Sequence, residues 1–375
     1  MSNPARLNGL FFAVLAAGIA ARLLVATFGH DFDMDSWQIV ARLTAQGQNV
    51  YANTPRYNFA PGWFIILHGL YLLAGRNEVV FRYFVAGFLS AADAGIFFIL
   101  WRKFGKIAGC WFFLNPISII ISGYQNNFDN LAILTGLMAA LLIGDEFEKP
   151  VNRRTLLGLL VLGFSLVLKH VFFAFPFWLA VKQKGFGQKL IVVLVPVLIF
   201  LLSFVPWWHE GKQGIIQNVF QYGSFTREYF YSMFVPAFVQ FMFSSRAIWL
   251  GLLVLFAFIC RRKSVMETML LYTGVLVATC PGTLNEYLAI PLAFVATHLN
   301  VLTILYIAVG TLHLLVDFNG FHLTAISPTI YIDIAIDVLC LAVAWATWPQ
   351  AIAGAIKKLF AWAVLEVENQ LGLKK

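Results

Sequence analysis

Three carboxylates fall within five residues, at Asp31, Asp33 and Asp35, in the run His30-Asp31-Phe32-Asp33-Met34-Asp35. An ionised carboxylate can take the proton from an attacking hydroxyl, and three carboxylates together can bind a divalent cation. The chain has only 18 Asp and Glu in 375 residues, so their concentration here asks for a use. Part of that use is structural. Asp35 or Ser36 can cap a helix that begins near Trp37 and runs to about Gln46, with Ile39, Val40 and Leu43 as its apolar side. Such a helix lies in a membrane interface, and its N-terminus keeps a nearby carboxylate ionised. No second cluster of ligand-type residues accompanies the run, so no metal or other cofactor is expected.

Other polar groups stand out against an apolar chain. Tyr57 and Asn58 precede Pro61, which can open a helix in its first turn. Gln125, Asn126 and Asp129 crowd one turn, more polar chemistry than a turn requires. Lys169 and His170 interrupt an apolar stretch; the lysine either snorkels to the interface or meets an anion such as phosphate. Arg227 has the same role available, or an ion pair with Glu228. Asp333 and Asp337 lie one turn apart near the C-terminus and receive no role.

The elements that must position these residues are membrane helices. The chain is 60% hydrophobic and 12% charged, with mean hydropathy +0.79, a composition outside that of soluble domains. The apolar runs are continuous, which excludes a β-barrel. A net charge of +8 reflects basic cytoplasmic loops rather than nucleic acid. Cys110, Cys260, Cys280 and Cys340 form neither a disulfide framework nor a metal spacing. The expected class is all-α: a polytopic membrane protein of about 12 transmembrane helices, 1–375 forming a single integral membrane domain. Placing the basic clusters in the cytoplasm gives spans at about 7–28, 81–101, 107–122, 129–143, 155–168, 171–181, 189–205, 246–260, 264–280, 286–298, 300–316 and 330–348. Ala60 to Ala74, too short to cross, is read as interfacial or re-entrant. The tail after Pro349 is expected to be a cytoplasmic amphipathic helix.

That topology puts the acidic run, Arg56-Tyr57-Asn58, Gln125 to Asp129, Lys169-His170, the loop 207–231 and Asn285-Glu286-Tyr287 on one non-cytoplasmic face. A single polar, aromatic-rich site opening there would use them all. The absence of an internal repeat disfavours an inverted-repeat transporter.

The order of the motifs resembles the GT-C class of membrane glycosyltransferases. Asp31-x-Asp33-x-Asp35, Gly47…Tyr51 and Tyr57-Asn58-x-x-Pro61 are similar to the first outer loop of polyprenyl-phosphate-mannose-dependent mannosyltransferases. The likeness is to the GPI mannosyltransferase I catalytic subunit and its bacterial relatives; Asn115-Pro116…Gln125-x-x-x-Asp129 is similar to a second element of those families. The resemblance covers a GT-C module over 7–180, with the catalytic acid in the first non-cytoplasmic loop, 29–60, and variable helices over 181–375. It implies an inverting glycosyltransferase that moves a single sugar, mannose or another hexose, from a polyprenyl-phosphate donor to a lipid or glycan acceptor. Asp33 matches the general base, with Asp31 and Asp35 in adjacent register. Tyr57, Asn58, Gln125, Asn126, Asp129, Lys169, His170 and Arg227 would bind donor or acceptor. Membrane lipid and a small partner subunit are the other expected partners. The compact loops point to a bacterial inner membrane, with the site facing the periplasm or exterior. The alternative is a transporter or flippase of a lipid-linked sugar, which would need polar residues along a path to both faces.

Overall fold

The computed structural model describes residues 7–145, 150–223, 244–282, 284–316 and 330–354. Among these the regular structure is helical, with no strand. The first span, α1 (Gly9–Ala26), starts where Asn8 accepts the Phe11 N–H at 3.2 Å. The next helix corrects the sequence expectation. α2 (Phe32–Ala45) begins five residues before Trp37, because Asp31 itself is the cap, accepting the Asp33 N–H at 3.0 Å. Asp33 and Asp35 therefore stand in the first turn, where the helix dipole favours negative charge.

A short α3 (Val50–Asn53) leads to α4 (Gly62–Leu73), which packs on α2. At 12 residues α4 is about 18 Å long and falls short of a bilayer core, in keeping with a non-crossing segment. α5 (Glu78–Phe104) has full crossing length. The return runs through α6 (Lys106–Phe113) and α7 (Pro116–Ile120), bent by 46°. Pro116 has no N–H to continue the helix, and Asn115 caps the new one by accepting from the Ile117 N–H at 3.0 Å. α7 ends in a π-turn, Ile121–Gln125, closed by Asn126 in the left-handed region at φ 55°.

α8 (Asp129–Ile143) and α9 (Arg153–Leu168) form a tight hairpin; a Cβ at Gly158 would lie 2.7 Å from Ile143 and 3.1 Å from the Ala139 carbonyl. α10 (Phe175–Ala180), α11 (Phe186–Ser203) and α12 (Trp208–Gly214) follow, α12 packing on α3. Then come α13 (Ser245–Ile259) and α14 (Val265–Thr279), the latter opened by a Ser264–Glu267 capping box. The expected crossing over 286–298 does not form. Pro291 divides it into a 3-10 turn, Asn285–Ala289, and a four-residue α15 (Leu292–Val295). α16 (Val301–Val316) and α17 (Ile330–Thr347) pack against each other.

Four helical stretches among the described residues are long and apolar enough to cross a membrane: Gly9–Ala26, Glu78–Phe104, Phe186–Phe220 and Ile330–Thr347. The bent pair 106–125 makes a fifth if it is one span, and five shorter apolar helices accompany them. The count of about 12 is therefore not reached by length alone. Asp333 and Asp337 lie in α17; Asp317, Arg227 and the tail beyond 354 lie outside the described residues.

Two features stitch the bundle. At the end where α13 stops and α14 starts, the Lys182 ammonium donates to the carbonyls of Cys260 at 3.1 Å and Lys263 at 2.6 Å. Lys263 in turn reaches the Thr347 carbonyl at 2.7 Å. Several basic loops thus gather at one end. Inside the bundle, Arg22 of α1 pairs with Asp93 of α5 at 2.8 Å, both essentially without exposure. Arg22 also donates to the carbonyls of Gly18 and Phe113 and to Ser118 Oγ, while Ser122 Oγ donates to Asp93 at 2.6 Å. Sequence reasoning missed this network; a lone charge inside each of two apolar runs was its only signal.

The π-turn approaches α1 closely enough that a Cβ on Gly123 would sit 2.5 Å from the Arg22 carbonyl. Gly123→Ala is expected to push the two apart and destabilise the protein by about 1–3 kcal/mol. A lowered thermal midpoint in detergent checks this, with Gly69→Ala, where a Cβ meets nothing within 4 Å, as the control.

Candidate active site

At the end of the bundle away from the Lys182 cluster, a cavity of about 380 Å³ opens between α2, the 55–59 loop, the α8 and α9 ends, α13, α14 and the 285–290 turn. Asp33, Asn58, Asp129, Lys169 and His170 line it, joined by Arg56, Tyr222, Trp249, Glu286 and Tyr287. Each of the six polar segments expected on one face contributes a residue. Its walls are otherwise aromatic and apolar.

The polar wall is continuous. Asp33 Oδ2 accepts from Asn127 Nδ2 at 3.1 Å. Asn127 Oδ1 accepts from the Lys169 ammonium at 2.9 Å, and Lys169 also donates to Asp129 Oδ2 at 2.8 Å. The Lys169–Asp129 pair is buried, with side chains 7% and 1% exposed. A snorkelling lysine is therefore excluded. The ammonium lies 4.8 Å from the ring centre of Phe128 and 5.2 Å from that of Phe59, geometry in which aromatic faces attract a cation. Phe128 stacks on Trp63 at 4.5 Å, and Trp37 donates its indole N–H to the Asn126 carbonyl at 3.2 Å. The π-turn ends at Asn126 in the left-handed region, and the short link after it sets Asn127 beside Asp129, the first residue of α8.

Burial holds the Asp33 carboxyl above the usual carboxylate range, with Asp129 adding to the shift and Lys169 and the Asn127 amide opposing it. Glu286, in the 3-10 turn, is pushed up to about 8 by burial and by Asp33. Burial also raises Asp31. The wall thus contains carboxyls poised to take or hold protons, and Asp129 keeps one oxygen, Oδ1, without a hydrogen-bond partner among the described residues.

His170 is lowered to about 4 by burial and by Lys169, so it is neutral near pH 7. A histidine buried neutral must charge on acidification. Its contribution to stability is complete above its ordinary value of 6.5 and is lost as pH falls through about 4. His170→Phe, which keeps a ring against Phe59, is expected to flatten the fall in melting temperature between pH 6.5 and 4.

Several expected site residues lie elsewhere. The Tyr57 ring is fully buried; its hydroxyl donates to the Ala60 carbonyl at 2.6 Å and accepts the Phe64 N–H at 3.2 Å, fixing the entry to α4. Gln125 and Asn126 are buried in the π-turn and do not line the cavity. Asp31 caps α2, and Asp35 is half exposed, 3.8 Å from His30. Arg56, in the polar segment 56–58, does line the cavity. Its guanidinium lies 4.2 Å over the Phe32 ring at the cavity mouth, and it has no ion pair among the described residues. Glu286 carried a signal too, as an acid in a short polar break between apolar runs. Among the described residues no His, Cys, Asp and Glu cluster has metal-ligand geometry. No family model, curated protein or solved structure matches the chain.

Proposed function

We propose that the protein is a GT-C type inverting glycosyltransferase that moves one hexose from a polyprenyl-phosphate donor to a hydroxyl of a lipid or glycan acceptor. The observation that carries this reading is Asp33: a carboxylate facing an aromatic-lined cavity, tied through Asn127 to a buried lysine. In this reading the acceptor hydroxyl attacks the anomeric carbon and gives its proton to Asp33. The bond from that carbon to the phosphate oxygen breaks, and the polyprenyl phosphate leaves with the electron pair. Desolvation strengthens Asp33 as a base, since a carboxylate that ionises later binds its proton more tightly.

The leaving phosphate needs a cation. Of the two cations the sequence offers, Arg227 lies outside the described residues and the Lys169 ammonium is committed to Asp129 and Asn127. We assign the role to Arg56, whose planar fork suits phosphate and which has no carboxylate partner among the described residues. The basic loops then face the cytoplasm and the cavity faces the periplasm or exterior of a bacterial inner membrane. In this scheme shorter apolar helices such as α8, α13, α14 and α16 add crossings to the long ones, across a thinned bilayer.

The test offers purified protein a panel of radiolabelled polyprenyl-phosphate sugars with a crude lipid and glycan extract. Consumption of one donor with label moving to acceptor supports the reading and names the sugar. Binding without turnover of any donor, together with movement of a fluorescent carrier lipid in a flipping assay, would sink it in favour of a carrier-lipid flippase.

A further inference from the structure

Asn127 lies between the two charged elements of the cavity wall and belongs to neither. Its backbone N–H is spent on the Ile121 carbonyl at 3.2 Å, closing the π-turn. Its side-chain oxygen faces two groups that can only donate: the Lys169 ammonium at 2.9 Å and the Asp129 N–H at 3.3 Å. The amide therefore has one allowed orientation, and that orientation aims its NH2 at Asp33 Oδ2, 3.1 Å away. The residue is 3% exposed, so water does not compete for these bonds.

We propose that Asn127 is a positioning residue for Asp33: its amide, locked by Lys169, holds the carboxylate at the cavity and couples its charge to the Lys169–Asp129 pair. The role of Asp33 as the base rests on the reading above; the coupling itself does not. The charged and titratable groups that bear on Asp33 are Asp31 on its own helix, Asp129 and Lys169 at the α8 and α9 ends, Glu286 from the 3-10 turn, and Arg56 and Tyr222 across the cavity. Among the described residues, Lys169 is the one of these that reaches Asp33 through a shared side chain, that of Asn127. A hydrogen bond to the charged form favours that form, so the amide opposes the upward shift that burial imposes.

The experiment is a pH titration of full-length protein in detergent micelles, with aspartate labelled at the carboxyl carbon with 13C. The Asp33 signal is identified by its loss in Asp33→Asn. Asn127→Leu removes the donor and is expected to move the Asp33 midpoint upward. Lys169→Met removes one of the two donors that hold the amide, and a nearby positive charge, and is expected to move it the same way. The double variant should shift it by less than the sum, because the part of the Lys169 effect that runs through the amide is already lost with Asn127. Asn127→Ser, smaller and still polar, gives the same upward shift if the Leu variant fails to fold. An unchanged or lowered midpoint in whichever Asn127 variant folds overturns the proposal, as does full additivity with Lys169→Met. No donor sugar enters this measurement, so failure of the transferase reading leaves its outcome intact. With an active donor in hand, the acid limb of the transfer rate should move upward by the same shift.

Discussion

If the proposed transferase reading holds, Asp33→Asn is expected to cut sugar transfer steeply while donor binding survives, the largest effect expected on activity. The substitution is nearly isosteric, and an amide can still meet Asn127, so the fold and the cavity persist. What is lost is the proton acceptor. General-base catalysis contributes about 10²–10⁴-fold, and a loss of that size in kcat with little change in donor affinity is the expected result. The companion result is a pH profile. Asp33 must be ionised to act, and burial raises the pH at which it ionises. Transfer should therefore climb with pH through a midpoint above that of an ordinary aspartate. Asp35→Asn, which alters a half-exposed carboxylate, should leave the rate within a few-fold of the parent. Full activity in Asp33→Asn, with Asp35→Asn impaired instead, would move the base two residues along α2.

The largest expected effect on stability lies away from the cavity. Arg22→Met leaves Asp93 inside the bundle with Ser122 and Ser118 but without its cation. It also strips the Gly18 and Phe113 carbonyls of a donor and removes a guanidinium stacked 4.4 Å over the Phe113 ring. Breaking one side of a buried pair costs about 3–5 kcal/mol, because the remaining charge is left uncompensated. Asp93→Asn on top of Arg22→Met should restore part of that loss, since a neutral amide tolerates the apolar surroundings better. Thermal unfolding of the three variants in one detergent decides it. If the double variant is as unstable as the sum of the singles, Arg22 acts through its carbonyl contacts and not through Asp93.

The shape of these two predictions reflects what the sequence could and could not reveal. Apolar runs bounded by polar residues put the helix at 129–143 in place to the residue, and those at 246–260 and 264–280 to within one, because hydropathy defines such ends; that they cross a membrane does not follow from their length. The common face of the six polar segments was legible from basic-loop sidedness. The start of α2 was not: Asp31, Asp35 and Ser36 are all good caps, and only the backbone decides which carboxylate accepts an N–H. The 286–298 run is apolar enough to cross, and composition does not register that Pro291 breaks it. Tyr57 looked like a ligand-binding phenol, yet its hydroxyl is consumed by Ala60 and Phe64. Nothing in the sequence singles out Asn127 from Gln125 and Asn126, because three adjacent amides in a turn differ only in where the backbone sends their side chains.

The Arg22–Asp93 pair also sets a clock. Its partners are 71 residues apart in the chain, so α1 emerges from the ribosome with a bare arginine well before α5 is made. At 5–20 residues per second that interval is about 4–14 s. During it Arg22 lacks the carboxylate that neutralises it in the folded bundle, and an unpaired charge within an apolar helix makes stable insertion costly. Docking of α5 ends the wait. A nascent chain halted before Asp93 should therefore be extracted from the membrane by alkali or urea far more readily than one halted after Phe113.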